Sequence, residues 1–133
     1  MNLEQAIHER WAASAALVAL LPADRLKTGL ARGTGIPYAT LARKPGRTVF
    51  RTNAGDALDQ VPLMIRVWHD RFDAGQAIAQ EVKAVFDRAE FALAGGDRVL
   101  DIVRGGESVV QHEDGIWEWA IEFSVHVHLI SGH

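Results

Sequence analysis

The most regular pattern of hydrophobic and polar positions lies near the end of the chain. It follows an Asp114-Gly115 pair, which is a strong signal for a two-residue hairpin turn. Every odd position from 117 to 129 is apolar, and the even positions between them are mostly polar or small. Alternation with a period of two predicts one long strand with a core face and a polar face.

A second strand is predicted at residues 61–67, where the odd positions are again apolar. Its even positions differ, because Pro62, Met64 and Trp68 make that face half apolar. Either a helix of the same chain covers this face, or the face contacts another protein. Met64 and Trp68 are therefore the candidate residues of a partner-binding patch.

Two segments have the 3.6-residue period of amphipathic helices. The first begins after Asn2, a good N-cap with a glutamine three residues on, and ends before Pro22. The second is predicted at residues 73–91, with Asp73 as its N-cap and Gln76 in the capping-box position. A Gly-Gly pair then turns the chain.

Shorter β-prone runs fill the remaining segments. Residues 38–43 and 48–52 are predicted as strands on either side of a Pro45-Gly46 turn, and residues 98–103 and 108–112 as two more. A further short strand is indicated near residue 26. The main elements follow the order α-β-β-β-α-β-β-β, which favours an α+β domain with two helices packed on one face of a mainly antiparallel sheet.

Length and composition limit the class of protein. The 133 residues are 48% hydrophobic and 23% charged, with a net charge of −3, which predicts a single soluble domain over residues 1–133. The chain has no cysteine, so disulfides, thiolate metal sites and thiol nucleophiles are excluded. The longest apolar run, residues 11–21, is too short for a bilayer, so we expect no membrane partner.

The basic residues are concentrated in one segment. Residues 25–55 contain seven Arg and Lys and no Asp or Glu, which leaves 14 − 7 = 7 basic against 17 acidic residues in the rest of the chain. We interpret the segment as a footprint for phosphate or for an acidic partner surface, or as a solvated hairpin without carboxylates. The central residues of the segment are Arg43, Lys44, Arg47 and Arg51.

Metal chemistry is the alternative function that the residues allow. His126 and His128 point to one face of a strand, Glu122 lies on that face, and His69 ends another strand. Solvent-facing or interface histidines explain the same spacing. The glycines between residues 29 and 35 match neither a phosphate-binding loop nor a dinucleotide fingerprint, so we expect no cofactor and no catalytic residue.

Several stretches of the chain resemble the tail completion (tail terminator) family of long-tailed, siphovirus-like phages and gene transfer agents. The resemblance rests on the strand-to-helix passage at residues 65–70, 73–79 and 82–86. The closing hairpin at 114–117 and the apolar strand at 121–127 also fit the family. These motifs are patterns of apolar positions and element order, without a catalytic signature.

The resemblance implies a structural protein of a virion or phage-like particle, made in the host cytoplasm. Six copies would form a ring at the head-proximal end of the tail tube, end its polymerisation and dock the head-completion (stopper) protein. DNA would pass through the channel without sequence specificity, and the basic segment would line that channel or meet an acidic partner. A free nucleic-acid-binding module is a further alternative, which the net charge disfavours.

Overall fold

The computed structural model describes residues 2–30 and 33–130. Its three α-helices are α1 (Leu3–Ala13), α2 (Ala15–Leu20) and α3 (Phe72–Phe86). Its strands are β1 (Leu26–Thr28), β2 (Tyr38–Arg43), β3 (Arg47–Arg51), β4 (Ala57–His69), β5 (Phe91–Ala92), β6 (Arg98–Gln111) and β7 (Trp117–Leu129). The predicted α+β class is confirmed, and none of the described helices has the length and apolar character needed to span a membrane.

One mainly antiparallel sheet holds all the strands in the order β1-β2-β4-β7-β6-β5, with β3 also paired to β4. Among the strands of the described residues, only β1 and β2 pair in parallel. The β4 and β7 strands pair over 13 residues, from Ala57 opposite Leu129 to His69 opposite Trp117. The β4 and β7 strands therefore form the centre of the sheet, with β2 and β3 beside β4 and with β6 beside β7.

The alternation predicted for β4 and β7 places their apolar odd positions in the core. Val61 to Val67 and Trp119 to Val127 are buried at these positions. They form one cluster with side chains of the helices, among them Trp11, Leu17 and Phe86. The helical side chains thus cover the odd-numbered face of the central strands, and we call the opposite face the open face.

The first predicted helix is two helices, which corrects the helix count from two to three. Asn2 caps α1 as predicted, because its side chain accepts a hydrogen bond from the backbone N–H of Gln5. At Ser14 the backbone becomes extended, and the Ser14 hydroxyl accepts from the N–H of Leu17 to cap α2. A serine that bonds to nearby backbone competes with helix continuation, which explains the break.

The second predicted helix has different ends. It begins at Phe72 after Arg71, without a side-chain cap, so Asp73 lies in the first turn instead of at the N-cap. It ends at Phe86 and not near residue 91, since Arg88 takes a positive φ and its N–H donates to the carbonyl of Ile102 on β6. A contact with a distant strand therefore ends this helix.

The predicted Pro45-Gly46 turn is wrong, because the chain does not reverse there. Both β2 and β3 pair antiparallel with β4, with Arg43 opposite Leu63 and Arg47 opposite Gln60. Residues 44–46 are a kink between two segments that continue along the same side of β4, and the true reversal lies at residues 52–56, between β3 and β4. A Cβ at Gly46 would lie 2.8 Å from the Gln60 carbonyl oxygen, so this approach favours glycine.

Two predicted strands near the end of the chain are one. Residues 98–103 and 108–111 belong to β6, which ends one residue before the predicted end and whose register with β7 shifts between Arg104 and Glu107. A two-glycine irregularity at residues 105–106 produced the apparent break in the pattern. The observed order is α-α-β-β-β-β-α-β-β-β; the short strand near residue 26 is confirmed as β1, and β5 is an element that the pattern did not predict.

Candidate functional site

The open face of the sheet carries the predicted partner patch. Met64 and Trp68 lie there, both partly exposed, and neither belongs to the core cluster under the helices. Trp68 stacks on Tyr38 of β2, with ring centroids 4.8 Å apart. The patch is thus held in a defined orientation by pairing between neighbouring strands.

A groove of about 380 Å³ lies beside this aromatic pair. Its charged wall is an ion pair between Arg66 and Glu118, with Nη1 and Oε2 2.5 Å apart, and the ring of His112 lies 2.8 Å from the other carboxylate oxygen. Burial and the negative charge of Glu118 both raise the pKa of Tyr38. A phenol with a raised pKa stays protonated at neutral pH, so it offers a hydrogen bond and no base.

The four central basic residues lie along one edge of the sheet but do not share a face. Arg43 is held by α1, because its Nε lies 2.7 Å from the Glu4 carboxylate. Arg47 lies on the open face and donates to the Gln60 side chain at 3.0 Å. Arg51 is paired in register with Ala57, a buried odd-numbered position.

We name residues 44–55 the basic arm, since every residue in it is exposed. Lys44, Arg47 and Arg51 have no carboxylate within 4.0 Å in the described parts of the chain. The basic arm comprises β3, the kink before it and most of the reversal after it. Arg32, which belongs to the basic segment by sequence, lies outside the described residues.

A second charged surface region, whose part in β6 lies at a sheet edge, was not anticipated from the sequence. It comprises the last half of β6, the turn that follows and the first half of β7, and we name residues 104–122 the acidic arm. Residues 104–114 are exposed throughout, on both faces of the strand. Glu113, Asp114 and Glu122 have no cation within 4.0 Å among the described residues. The sequence signal for this arm was the Val109-Val110 pair, since two consecutive apolar residues do not fit the alternation of a strand with one buried face.

The predicted two-histidine, one-carboxylate site is not formed. His126 and His128 share the open face, but Glu122 is four residues from His126, which is about 13 Å along a strand. His69 lies at the far end of β4, and His128 instead approaches Asp56 at 3.3 Å. Within residues 2–30 and 33–130, no group of three His, Asp or Glu is arranged to hold a metal ion.

Comparison with known families decides among these interpretations. Residues 5–128 match the family described as "Tail completion protein gp17". The chain belongs to this tail completion family. The resemblance drawn from the apolar patterns is thereby confirmed, and this tail completion protein has a structural role in a phage tail.

A solved structure supports the same fold for the tail completion protein. It is a chain from a structure titled "Virion of native gene transfer agent (GTA) particle", with a TM-score of 0.74 and 19% sequence identity. The match covers 95% of this chain and 94% of that chain. At this identity the likeness concerns the fold. A comparison with curated protein sequences finds no match.

Proposed function

We propose that this tail completion protein forms a hexameric ring at the head-proximal end of a tail tube. There it ends tube polymerisation and presents a docking face to the head-completion (stopper) protein. The observation that carries the proposal is the family match over residues 5–128, which spans both helical regions and nearly the whole sheet. The role is structural and requires neither catalysis nor a cofactor.

The proposed setting is a phage, prophage or gene transfer agent particle, and the particle named for the matched structure supports it. The protein is made in the host cytoplasm and then joins the tail at its junction with the head. Genome DNA passes through the ring without sequence-specific contacts. Partners are therefore other copies of the chain, the tube protein and the stopper protein.

The surfaces of the domain suit such a position. A subunit of a closed ring contacts its two neighbours through two different patches, and it needs further surfaces for the components above and below it. The basic and acidic arms are two such patches at different edges of the sheet. The open face with Met64 and Trp68 is a third, which we assign to a tail partner.

Disruption of the gene tests the ring and joining role. We expect negative-stain electron microscopy to show separate heads together with unattached or overlong tails, because tubes without a terminator neither stop nor dock. Expression of the wild-type chain from a plasmid is the control and restores joined particles. Normal tailed particles after disruption would refute the proposed function.

The partner patch has its own test by complementation. Trp68→Ser removes an aromatic surface from the open face and is expected to lower the yield of joined particles by at least about tenfold, as loss of a central aromatic contact does. Trp68→Phe, which keeps a ring against Tyr38, is the matched control and retains assembly. Equal yields from the two variants, with both folded by circular dichroism, would remove Trp68 from the interface.

A further inference from the structure

We infer that neighbouring copies meet through their arms, with the basic arm of one copy docked on the acidic arm of the next. This inference rests on the proposed ring and specifies its subunit contact. The occupant of each arm is therefore a second copy of this chain. The alternative is that the basic arm contacts DNA in the channel. The experiments below distinguish that contact from docking on a second copy.

Charge complementarity is the first observation. Residues 44–55 contain three basic and no acidic side chains, whereas residues 104–122 contain five acidic and one basic. Two of those five carboxylates are neutralised within the subunit, since Glu107 pairs with Lys83 and Glu118 pairs with Arg66. Three unpaired cations on one arm thus face three unpaired carboxylates and one unpaired cation, Arg104, on the other among the described residues, and this excess of negative charge favours contact between unlike arms.

Exposed apolar side chains on both arms are the second observation. The basic arm exposes Val49 by 48% and Phe50 by 63%, and the acidic arm exposes Val109 by 41% and Val110 by 48%. On the acidic arm, Val109 and Val110 lie opposite Trp119 and Glu118, so they point to opposite faces. On the basic arm, Phe50 lies opposite Leu58 on the open face, next to an irregularity of the register at Val49. Apolar centres within a charged rim are the usual composition of a protein interface.

The positions of the arms suit a head-to-tail contact. The basic arm lies on the β2 side of the sheet, at the end of β4 where Ala57 lies. The acidic arm lies on the other side and runs along the half of β4 from Met64 to His69, whose far end is about 40 Å from Ala57 along the strand. Both arms are sheet edges, because β3 pairs only with β4 and the last half of β6 only with β7 in the described chain. Two different patches at diagonal corners generate a closed ring when the rotation closes.

Cysteine cross-linking tests the contact, because the chain contains no cysteine of its own. The Val49→Cys/Val109→Cys variant is expressed in the disrupted host, and assembled particles are treated with a short bis-maleimide. We expect a ladder of cross-linked species that extends beyond the dimer to the full ring. Each single-cysteine variant, the matched control, is expected to stay monomeric.

Three results of this cross-linking would overturn the inference. Cross-linked dimers from either single variant would show contact between like arms. A double variant that stops at the dimer would show a two-fold pair instead of a head-to-tail chain. If normally joined particles gave no cross-linked species, the arms of neighbouring copies would not be in contact.

Charge reversal tests the electrostatic part. Arg47→Glu/Arg51→Glu is expected to reduce joined particles by at least about tenfold, and adding Glu113→Arg/Glu122→Arg to restore them. The matched control is Lys27→Glu/Arg71→Glu, which makes the same change in net charge. Both residues lie outside the arms and outside the ion pairs of the described chain, so this variant is expected to assemble normally. The rescue separates the arm contact from a loss of folding.

The outcomes for the arms and for the ring are distinguishable. Joined particles from Arg47→Glu/Arg51→Glu would overturn the arm contact and leave the ring proposal intact. Joined particles that fail to deliver DNA would assign these arginines to the channel. That result would also overturn the arm contact. The ring proposal fails instead if the disrupted host, which makes no copy of the chain, still produces particles with normal tails.

Discussion

Gly75→Ala is expected to destabilise the protein by about 3 kcal/mol, at the upper end of the range for overpacking a core. Gly75 lies in the first turns of α3, where the helix meets the sheet, and an ideal Cβ built there overlaps the indole ring of Trp119. Trp119 is fully buried, so its ring has little space into which it can move. Its Nε1–H donates to the Gln76 side chain at 2.8 Å, and displacement breaks this bond as well.

Urea unfolding followed by tryptophan fluorescence measures this effect as a shift in the free energy of unfolding. The control is Gly106→Ala, because a Cβ at Gly106 meets no atom within 4 Å and Gly106 has no positive φ. We expect the control to change stability by less than about 0.5 kcal/mol. A Gly75→Ala variant as stable as the control would show that α3 does not pack tightly on β7.

Glu107→Gln is expected to cost about 2 kcal/mol, whereas Lys83→Met is expected to cost less than about 1 kcal/mol. The Lys83 ammonium lies 2.9 and 3.1 Å from the two carboxylate oxygens of Glu107. The Lys83 side chain is only 9% exposed and that of Glu107 is 39% exposed. Removing the carboxylate therefore leaves a buried ammonium with a weaker partner, while removing the ammonium leaves a carboxylate that turns to water.

The test is which of the two variants loses more free energy of unfolding. Urea is used as the denaturant because the ions of guanidinium chloride would screen the charges. Both variants are unfolded at pH 7 in low salt, and hydrogen exchange of residues 104–111 is followed in parallel. The ion pair fastens the irregular part of β6 to α3, so we expect faster exchange in Glu107→Gln. A larger cost for Lys83→Met than for Glu107→Gln would contradict this account of burial.

Local periodicity accounts for the elements that were predicted correctly. The alternation over residues 117–129 specified the core face of β7. The half-apolar face of β4 was compatible with a covering helix or with a partner, and the structure places the helical core cluster on the other face. The cap at Asn2 was predictable because its hydrogen bond spans only three residues. Each of these features depends on residues that are close in sequence, so the pattern contains the whole cause.

Two of the wrong predictions, the end of α3 and the turn at residues 45–46, share one physical cause, since each depends on a partner far along the chain. The end of α3 is set by a hydrogen bond from Arg88 to the carbonyl of Ile102. The Pro45-Gly46 segment continues forward instead of turning because β4 pairs with the chain on both sides of it. A local turn signal carries no information about such pairing.

The features of the candidate surfaces are likewise of two kinds, those visible in the sequence and those decided by contacts between distant segments. The absence of carboxylates between residues 25 and 55 is a property of the sequence, and it is enough to locate the basic arm along the chain. Which cations stay unpaired is a tertiary property: Arg43 meets Glu4 of α1, while Arg47 and Arg51 meet no carboxylate among the described residues. Composition and period thus specified the α+β class and the core faces. Contacts between distant segments selected the edges and charges left for a partner, because pairing in space follows the path of the whole chain.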